Sequence, residues 1–192
     1  LRLPKLARDF YERPTLTIAG ELPGKIFVFK NKSRISGRIV EVEAYIGRDD
    51  PACHARFGLT RRNSVMFGPG GVTYIYFIYG MYNMLNFVTE KAGFPAACLI
   101  RAIEPLEGLE IMYKNRGTDV RRNLTNGPGK LCTAFGLTTK HSGIDMTEDI
   151  IFLEDDGYKP GKIIRTERIG IRDGRDKKWR FFIEGNEFVS KR

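Results

Sequence analysis

The chain has 192 residues, 32 of them Lys or Arg and 23 Asp or Glu, for a formal charge of +9. This length suits one domain or a lopsided pair, with a core large enough to need no staples, and 42% hydrophobic against 29% charged residues excludes a disordered chain. Three cysteines (Cys53, Cys98, Cys132) without a CxxC spacing exclude a disulfide scaffold or zinc ribbon; with no apolar leader-like run in residues 1–14, the expectation is a cytoplasmic protein.

In chain order, residues 4–12 predict a short helix with Leu6 and Phe10 on one face, ending before Pro14. Lys25–Lys30 and Gly37–Tyr45 read as strands joined through the turn-prone Asn31-Lys32-Ser33. A long strand signal starts at Val72, and Ala96–Ala102 gives another. Pro105 is expected to open a helix over Leu106–Arg116 that stops at Gly117, with Leu106, Leu109 and Tyr113 on one face. A short helix follows Asn126-Gly127-Pro128. Strands return at Ile150–Leu153, Lys162–Thr166 and Trp179–Ile183, with turns at Asp156-Gly157 and Asp173-Gly174. Strands at both ends around few helices predict an α+β domain with a mixed or antiparallel sheet, spanning residues 1–192 without repeat or linker.

The basic residues come in blocks. Residues 1–38 hold nine basic against three acidic side chains, 113–130 five against one, and 158–192 eleven against five. Such blocks fit a nucleic-acid footprint, with an inert basic surface and an anionic membrane as the alternatives.

Asn63–Thr89 is a run of 27 residues without a charge, and four of the eight tyrosines fall in Tyr74–Tyr82. A membrane span has the length but not the chemistry: Gly68, Pro69, Gly70, Gly71, Asn83 and Asn86 interrupt it. Period two fits better, with Val72, Tyr74 and Tyr76 on one face and Thr73, Ile75 and Phe77 on the other. Gly80 then turns the chain and Met81–Val88 returns, which predicts a β-hairpin with Tyr79 at its tip. That tyrosine is either a surface cap on a small cluster or a wedge between stacked bases.

In Arg38–Tyr45, Val40, Val42 and Ala44 alternate with Glu41, Glu43 and Tyr45. One face is core; the other is a solvated strand face, or else a carboxylate beside an aromatic wall where a water is activated or a flat ring bound. His54 lies just downstream, without a second ligand pair that would make it part of a metal site with Cys53.

Together, VEVEAYIG, DPACHA, RRNSVMFGPGG, YIYFIYGMYNMLN, LIRAIEPLEG and NGPGKLC resemble, in order and spacing, the mammalian-type alkyladenine (3-methyladenine) DNA glycosylase family, also found in many bacteria. The C-terminal RIGI and WRFFIEG are similar too. The resemblance implies a single α+β domain with a curved antiparallel sheet, flanking helices and a protruding hairpin. It implies a monomer that acts on double-stranded DNA containing a damaged purine, with no membrane and no cofactor. The implied reaction flips an alkylated, and also a deaminated, purine into a pocket and hydrolyses its N-glycosidic bond. By resemblance, Glu43 is the general base, while Arg101 and the main-chain carbonyl of Ile169 hold the water. Tyr45, His54 and Tyr76 would wall the base pocket, and Asn86 would discriminate against guanine. Tyr79, with Met81 beside it, would be the intercalating wedge, and Lys130, at a helix start, suits a phosphate contact. The chain departs from the family where that reads Thr-Pro-Arg-Asn and this sequence has Thr60-Arg61-Arg62-Asn63. The rivals to a glycosylase are a non-catalytic binder that uses the tyrosine-rich hairpin as a stacking platform and an RNA-modifying enzyme.

Overall fold

The computed structural model describes residues 3–190, and in it the strand signals assemble into one antiparallel sheet. β1 (Ile26–Lys30) and β2 (Arg34–Ile46) are joined by the three-residue turn expected between them. β3 (Thr73–Ile78) and β4 (Tyr82–Val88) form the tyrosine-rich hairpin, and β5 (Ala96–Glu107) pairs with β4 on one side and β2 on the other. β6 (Ile151–Glu154) lies beside β1, so the order is β3-β4-β5-β2-β1-β6. β7 (Ile163–Thr166) and β8 (Arg180–Ile183) join through a β8–β2 pairing. The helices are α1 (Arg8–Tyr11), α2 (Thr15–Glu21), α3 (Leu109–Arg116) and α4 (Pro128–Phe135). The curled sheet with its hairpin is the α+β architecture the sequence predicted.

The main core lies between one sheet face and helices α2 and α4. Phe27 is its centre, with ring centroids 5.8 Å from Phe87 and 5.1 Å from Phe135, so strand, hairpin and helix meet there. Burying each such ring stabilises the fold by about 1.5–3 kcal/mol. Helix α4 starts on Pro128, whose missing N–H needs no partner, and stops at Gly136 in the left-handed region at φ 69°. No helix of the described residues is long and apolar enough to cross a membrane.

Four expectations need correction. The first helix is only Arg8–Tyr11, and α2 was not foreseen at all: its N-cap is Pro14, with no Ser, Thr, Asp or Asn side chain to announce it. Pro105 does not open a helix. It continues β5 opposite Gly37, at a register irregularity where the lost N–H is tolerated, and Leu106 is a strand residue. Helix α3 begins only after Gly108 at φ 78°. Met81 belongs to the hairpin turn, and β4 begins at Tyr82.

The fourth correction positions the site. Alternation breaks in β2 and β5 at the same level. Ile39 and Val42 both reach the main core, as do Ile100 and Ile103 opposite them. Val40 and Ala102 instead pack in a second cluster with Phe182 and Phe188, on the side where Glu41 meets Arg101. Val40 therefore does not share a face with Val42 and Ala44. Facing bulges turn two consecutive residues of each strand to one side. That crowds Glu41, Glu43 and Arg101 together.

Candidate active site

A pocket of about 350 Å³ opens beside the hairpin. Tyr45 of β2, Tyr74 and Tyr76 of β3, Asn86 of β4, Arg101 of β5, and the His54 and Ile169 loops all contribute to its wall. The His54 ring stands edge-on to Tyr76 at 4.5 Å, and its Nδ1 lies 3.0 Å from the Tyr74 hydroxyl. Burial, then the charge of Arg62, hold this imidazole below its usual pKa, so it is neutral at pH 7. Burial pushes Tyr74 up to about 12, and raises Tyr45 and Tyr76 as well, which keeps all three phenols protonated. The Asn86 side-chain amide donates to the carbonyls of Tyr74 (3.0 Å) and Met84 (3.2 Å), which fixes its orientation at the pocket wall. The result is an aromatic slot with neutral walls and one guanidinium.

Glu43 is fully buried one layer behind that wall, and all three groups that hold it line the pocket. Its Oε1 accepts from the Ile169 N–H at 2.7 Å and lies 3.4 Å from Arg101 Nη1. Its Oε2 accepts from the Tyr45 hydroxyl at 2.8 Å. Burial lifts its pKa above the usual carboxylate range, against the opposing pull of Arg101 and the two hydrogen bonds. Glu41 is buried too, but Oε1 is held by Arg101 Nε (2.9 Å) and Arg180 Nε (2.7 Å), and Oε2 by the Ser190 N–H (2.7 Å). The strand face is thus not solvated. One carboxylate supports the pocket, and the other orients the arginine between them.

A clamp invisible in the sequence fixes the Ile169 loop. Arg168 is buried and forms a two-pronged pair with Asp50 at 2.6 and 2.7 Å. The same guanidinium donates to the Ala44 carbonyl at 2.9 Å and lies 4.7 Å over the Tyr45 ring. Asp50 also accepts the N–H groups of Ile46 and Ala52, both at 3.1 Å. One ion pair therefore ties together the strand carrying Glu43, the loop leading to His54, and the segment offering the Ile169 N–H.

At the pocket mouth the hairpin turns through Tyr79 (φ 54°) and Gly80 (φ 67°), with Tyr79 73% and Met81 64% exposed. Tyr82 packs flat on Gly129 of α4, where an added Cβ would meet its ring at 2.6 Å. Lys130, in the first turn of α4, donates to Asn126 Oδ1 at 2.8 Å. Burial, then Arg116, lower its pKa. No group of three or more His, Cys, Asp or Glu among the described residues could hold a metal.

The family model for methylpurine-DNA glycosylase matches residues 9–187. The chain belongs to the methylpurine-DNA glycosylase family. A relative from Chlorobaculum tepidum is 48% identical over 98% of this chain and 92% of its own length. One from Methanocella arvoryzae is 49% identical over 99% and 98%, and one from a Wolbachia of Brugia malayi 51% identical over 93% and 96%. All three carry the provisional name 3-methyladenine DNA glycosylase. Membership makes this protein a DNA glycosylase, a hydrolase of base excision repair, so the non-catalytic binder and the RNA-modifying enzyme give way.

For this methylpurine-DNA glycosylase, the structure brings Glu43, Tyr45, His54, Tyr76, Asn86, Arg101 and Ile169 to one pocket. Tyr79 lies at its mouth with Met81 next to it in the turn. Lys130 is not in the pocket wall, though its neighbour Pro128 is. What touches Glu43 from the Ile169 segment is the N–H. Sequence reasoning missed Glu41 as the anchor of Arg101, Tyr74 as the partner of His54, and the Asp50–Arg168 clamp. Tyr74 carried a signal in the strand face it shares with Tyr76, and Glu41 in the face it shares with Glu43; the clamp carried none.

Proposed function

We propose that this glycosylase receives an alkylated purine flipped out of duplex DNA and hydrolyses its N-glycosidic bond with a water activated by Glu43. The observation that carries the reading is one buried carboxylate of raised basicity whose partners Tyr45, Arg101 and Ile169 all line an aromatic slot. A volume of about 350 Å³ is at the small end of ligand pockets and suits one base with its sugar. The water sits between Glu43, Arg101 and the Ile169 carbonyl, where Glu43 takes its proton as the oxygen attacks the sugar carbon.

Glycoside hydrolysis ordinarily takes two carboxylates, one to protonate the leaving group. Here the second candidate, Glu41, is committed to Arg101, Arg180 and Ser190. A purine that already carries positive charge leaves without that acid, so the site favours cationic lesions. Tyrosine faces attract such a ring, and a neutral His54 does not repel it. Deaminated purines lack the charge and are released more slowly. Asn86, its amide hydrogens directed to backbone carbonyls, screens the base edge. Tyr79 fills the vacated stack with Met81 against it, and Lys130, at the start of α4, meets a phosphate.

The test uses duplexes each bearing one damaged base, with abasic sites scored by alkaline cleavage. Glu43→Gln keeps the shape, and its carboxamide oxygen still accepts from Ile169 and Arg101. Base release is expected to fall by at least a thousandfold, with affinity for an abasic-site analogue within several-fold of wild type. Near-normal turnover by this variant would refute the general base.

A further inference from the structure

Outside the site, the most exposed apolar side chains lie on the loop between Ala55 and Asn63, where Phe57 is 86% and Leu59 65% exposed. The loop is firmly built. The Gly58 N–H donates to the Ala55 carbonyl at 2.9 Å, and the Thr60 N–H to Asn63 Oδ1 at 2.7 Å. The buried Asn63 returns two bonds of 2.9 Å, to the carbonyls of His54 and Gly58. This scaffold presents two large hydrophobic side chains to water, where burying them would otherwise be favourable.

Three exposed arginines share the loop, of which Arg56 meets Asp173 at 3.4 Å while Arg61 and Arg62 face no acidic side chain of their own segment, there being none between Asp50 and Glu90. Arg56 lies 4.7 Å over the Phe57 ring. Arg62 lies 5.2 Å over Tyr76 and donates to the Phe77 carbonyl at 3.3 Å, which fastens the loop to the hairpin. At the loop's base, His54 is part of the pocket wall. Apolar side chains bracketed by guanidinium groups at a pocket mouth match a duplex, with its phosphates outside and its sugar and base edges in the groove.

We propose that the 55–63 loop is a second prong of the DNA interface, with Phe57 and Leu59 packing into the groove beside the damaged nucleotide and Arg61 taking a neighbouring phosphate. The proposal rests on the reading that a flipped base enters the pocket, but not on Glu43. A second copy of this chain is the weaker occupant, because two surfaces of net charge +9 repel.

The experiment measures binding to a duplex carrying an abasic-site analogue, across a salt series. Phe57→Ala/Leu59→Ala is expected to raise Kd about tenfold without changing the log–log salt slope, because no phosphate contact is lost. Arg61→Ala is expected to reduce the slope by about one. Melting temperatures should match wild type, since the removed side chains are exposed. A Kd within twofold of wild type overturns the prong. So does a concentration-dependent dimer that the double substitution abolishes, which would assign the surface to a second copy. If wild type releases no base from any lesion duplex, the underlying reading fails instead, an outcome separable because binding and release are scored independently.

Discussion

Removing half of the Asp50–Arg168 clamp gives the sharpest test of the architecture around Glu43. In Asp50→Asn, the two bonds at 2.6 and 2.7 Å lose their charge, and the carboxamide turns a donor toward a guanidinium that has donors only. Arg168 is left charged and buried. Breaking a buried pair from one side typically costs about 3–5 kcal/mol. For a chain of this size each kcal/mol lowers Tm by about 2–4 °C, so the expected drop is about 6–20 °C. The double variant Asp50→Asn/Arg168→Met removes the orphaned charge and should recover part of the loss. Lys162→Met is the control, because Lys162 and Glu184 are both exposed at 3.3 Å and such pairs contribute about 0–1 kcal/mol. Thermal melts of these three variants, the single Arg168→Met and the wild type at one pH and salt concentration are sufficient. A drop below about 2 °C for Asp50→Asn, or strictly additive losses in the double variant, would refute the clamp as described.

Glu43 predicts a pH dependence of two kinds. Burial raises its pKa above the usual 4.5, so single-turnover base release should fall as pH drops through that raised value. An ionised Glu43 is a net cost to the fold above it. Glu43→Gln should therefore melt above wild type at pH 8, and the advantage should shrink as acid protonates the wild-type carboxyl; a lower Tm for the variant at pH 8 contradicts this. Tyr79→Ala and Tyr79→Gly should each slow release from paired duplex at least tenfold, with smaller losses opposite a mismatch, since unstacking costs a few kcal/mol. Gly relieves the left-handed backbone at φ 54°, worth about 1 kcal/mol, so Tyr79→Gly should melt no lower than Tyr79→Ala; the reverse order would show that the turn is not strained. Gly129→Ala should push Tyr82 off α4, cost about 1–3 kcal/mol and slow release as the hairpin shifts, which melts and single-turnover rates check together.

Much of the fold was legible where side-chain periodicity and turn chemistry agree. The β3–β4 hairpin announced itself by alternating aromatics around Tyr79-Gly80, and α4 by Pro128 at its start. Helix α2 was not legible, because Thr15–Glu21 is fixed by tertiary contacts: Thr15 is tied to Glu90, and Ile18 and Ala19 to the core. Pro105 misled because proline looks alike at a helix start and at a strand irregularity. Among the site residues, Glu43, Tyr45 and Tyr76 were marked by their faces and Tyr79 by its place at the hairpin tip, and the rest came from the family resemblance. Asp50 and Arg168 lie far apart in the chain and only folding makes them a pair, so neither carried a local mark.

The facing bulges in β2 and β5 make the sheet tolerant to a specific kind of length change. Deleting Val40 and Ala102 together would restore plain alternation in both strands, with Ile39, Val42, Ile100 and Ile103 all still facing the core. Each strand would shorten by one rise, about 3.3 Å, and lose its local bend. The core would scarcely register the change, but β3 and β4, carried on Ala97–Leu99 of β5, would be drawn together with Glu43 to a new angle relative to β1 and β6. Wedge and carboxylate lie on the same side of the bulges, since Glu43 pairs with Leu99 and Leu99 with Asn86, so the whole slot would turn as one unit against the β1–β6 half of the sheet.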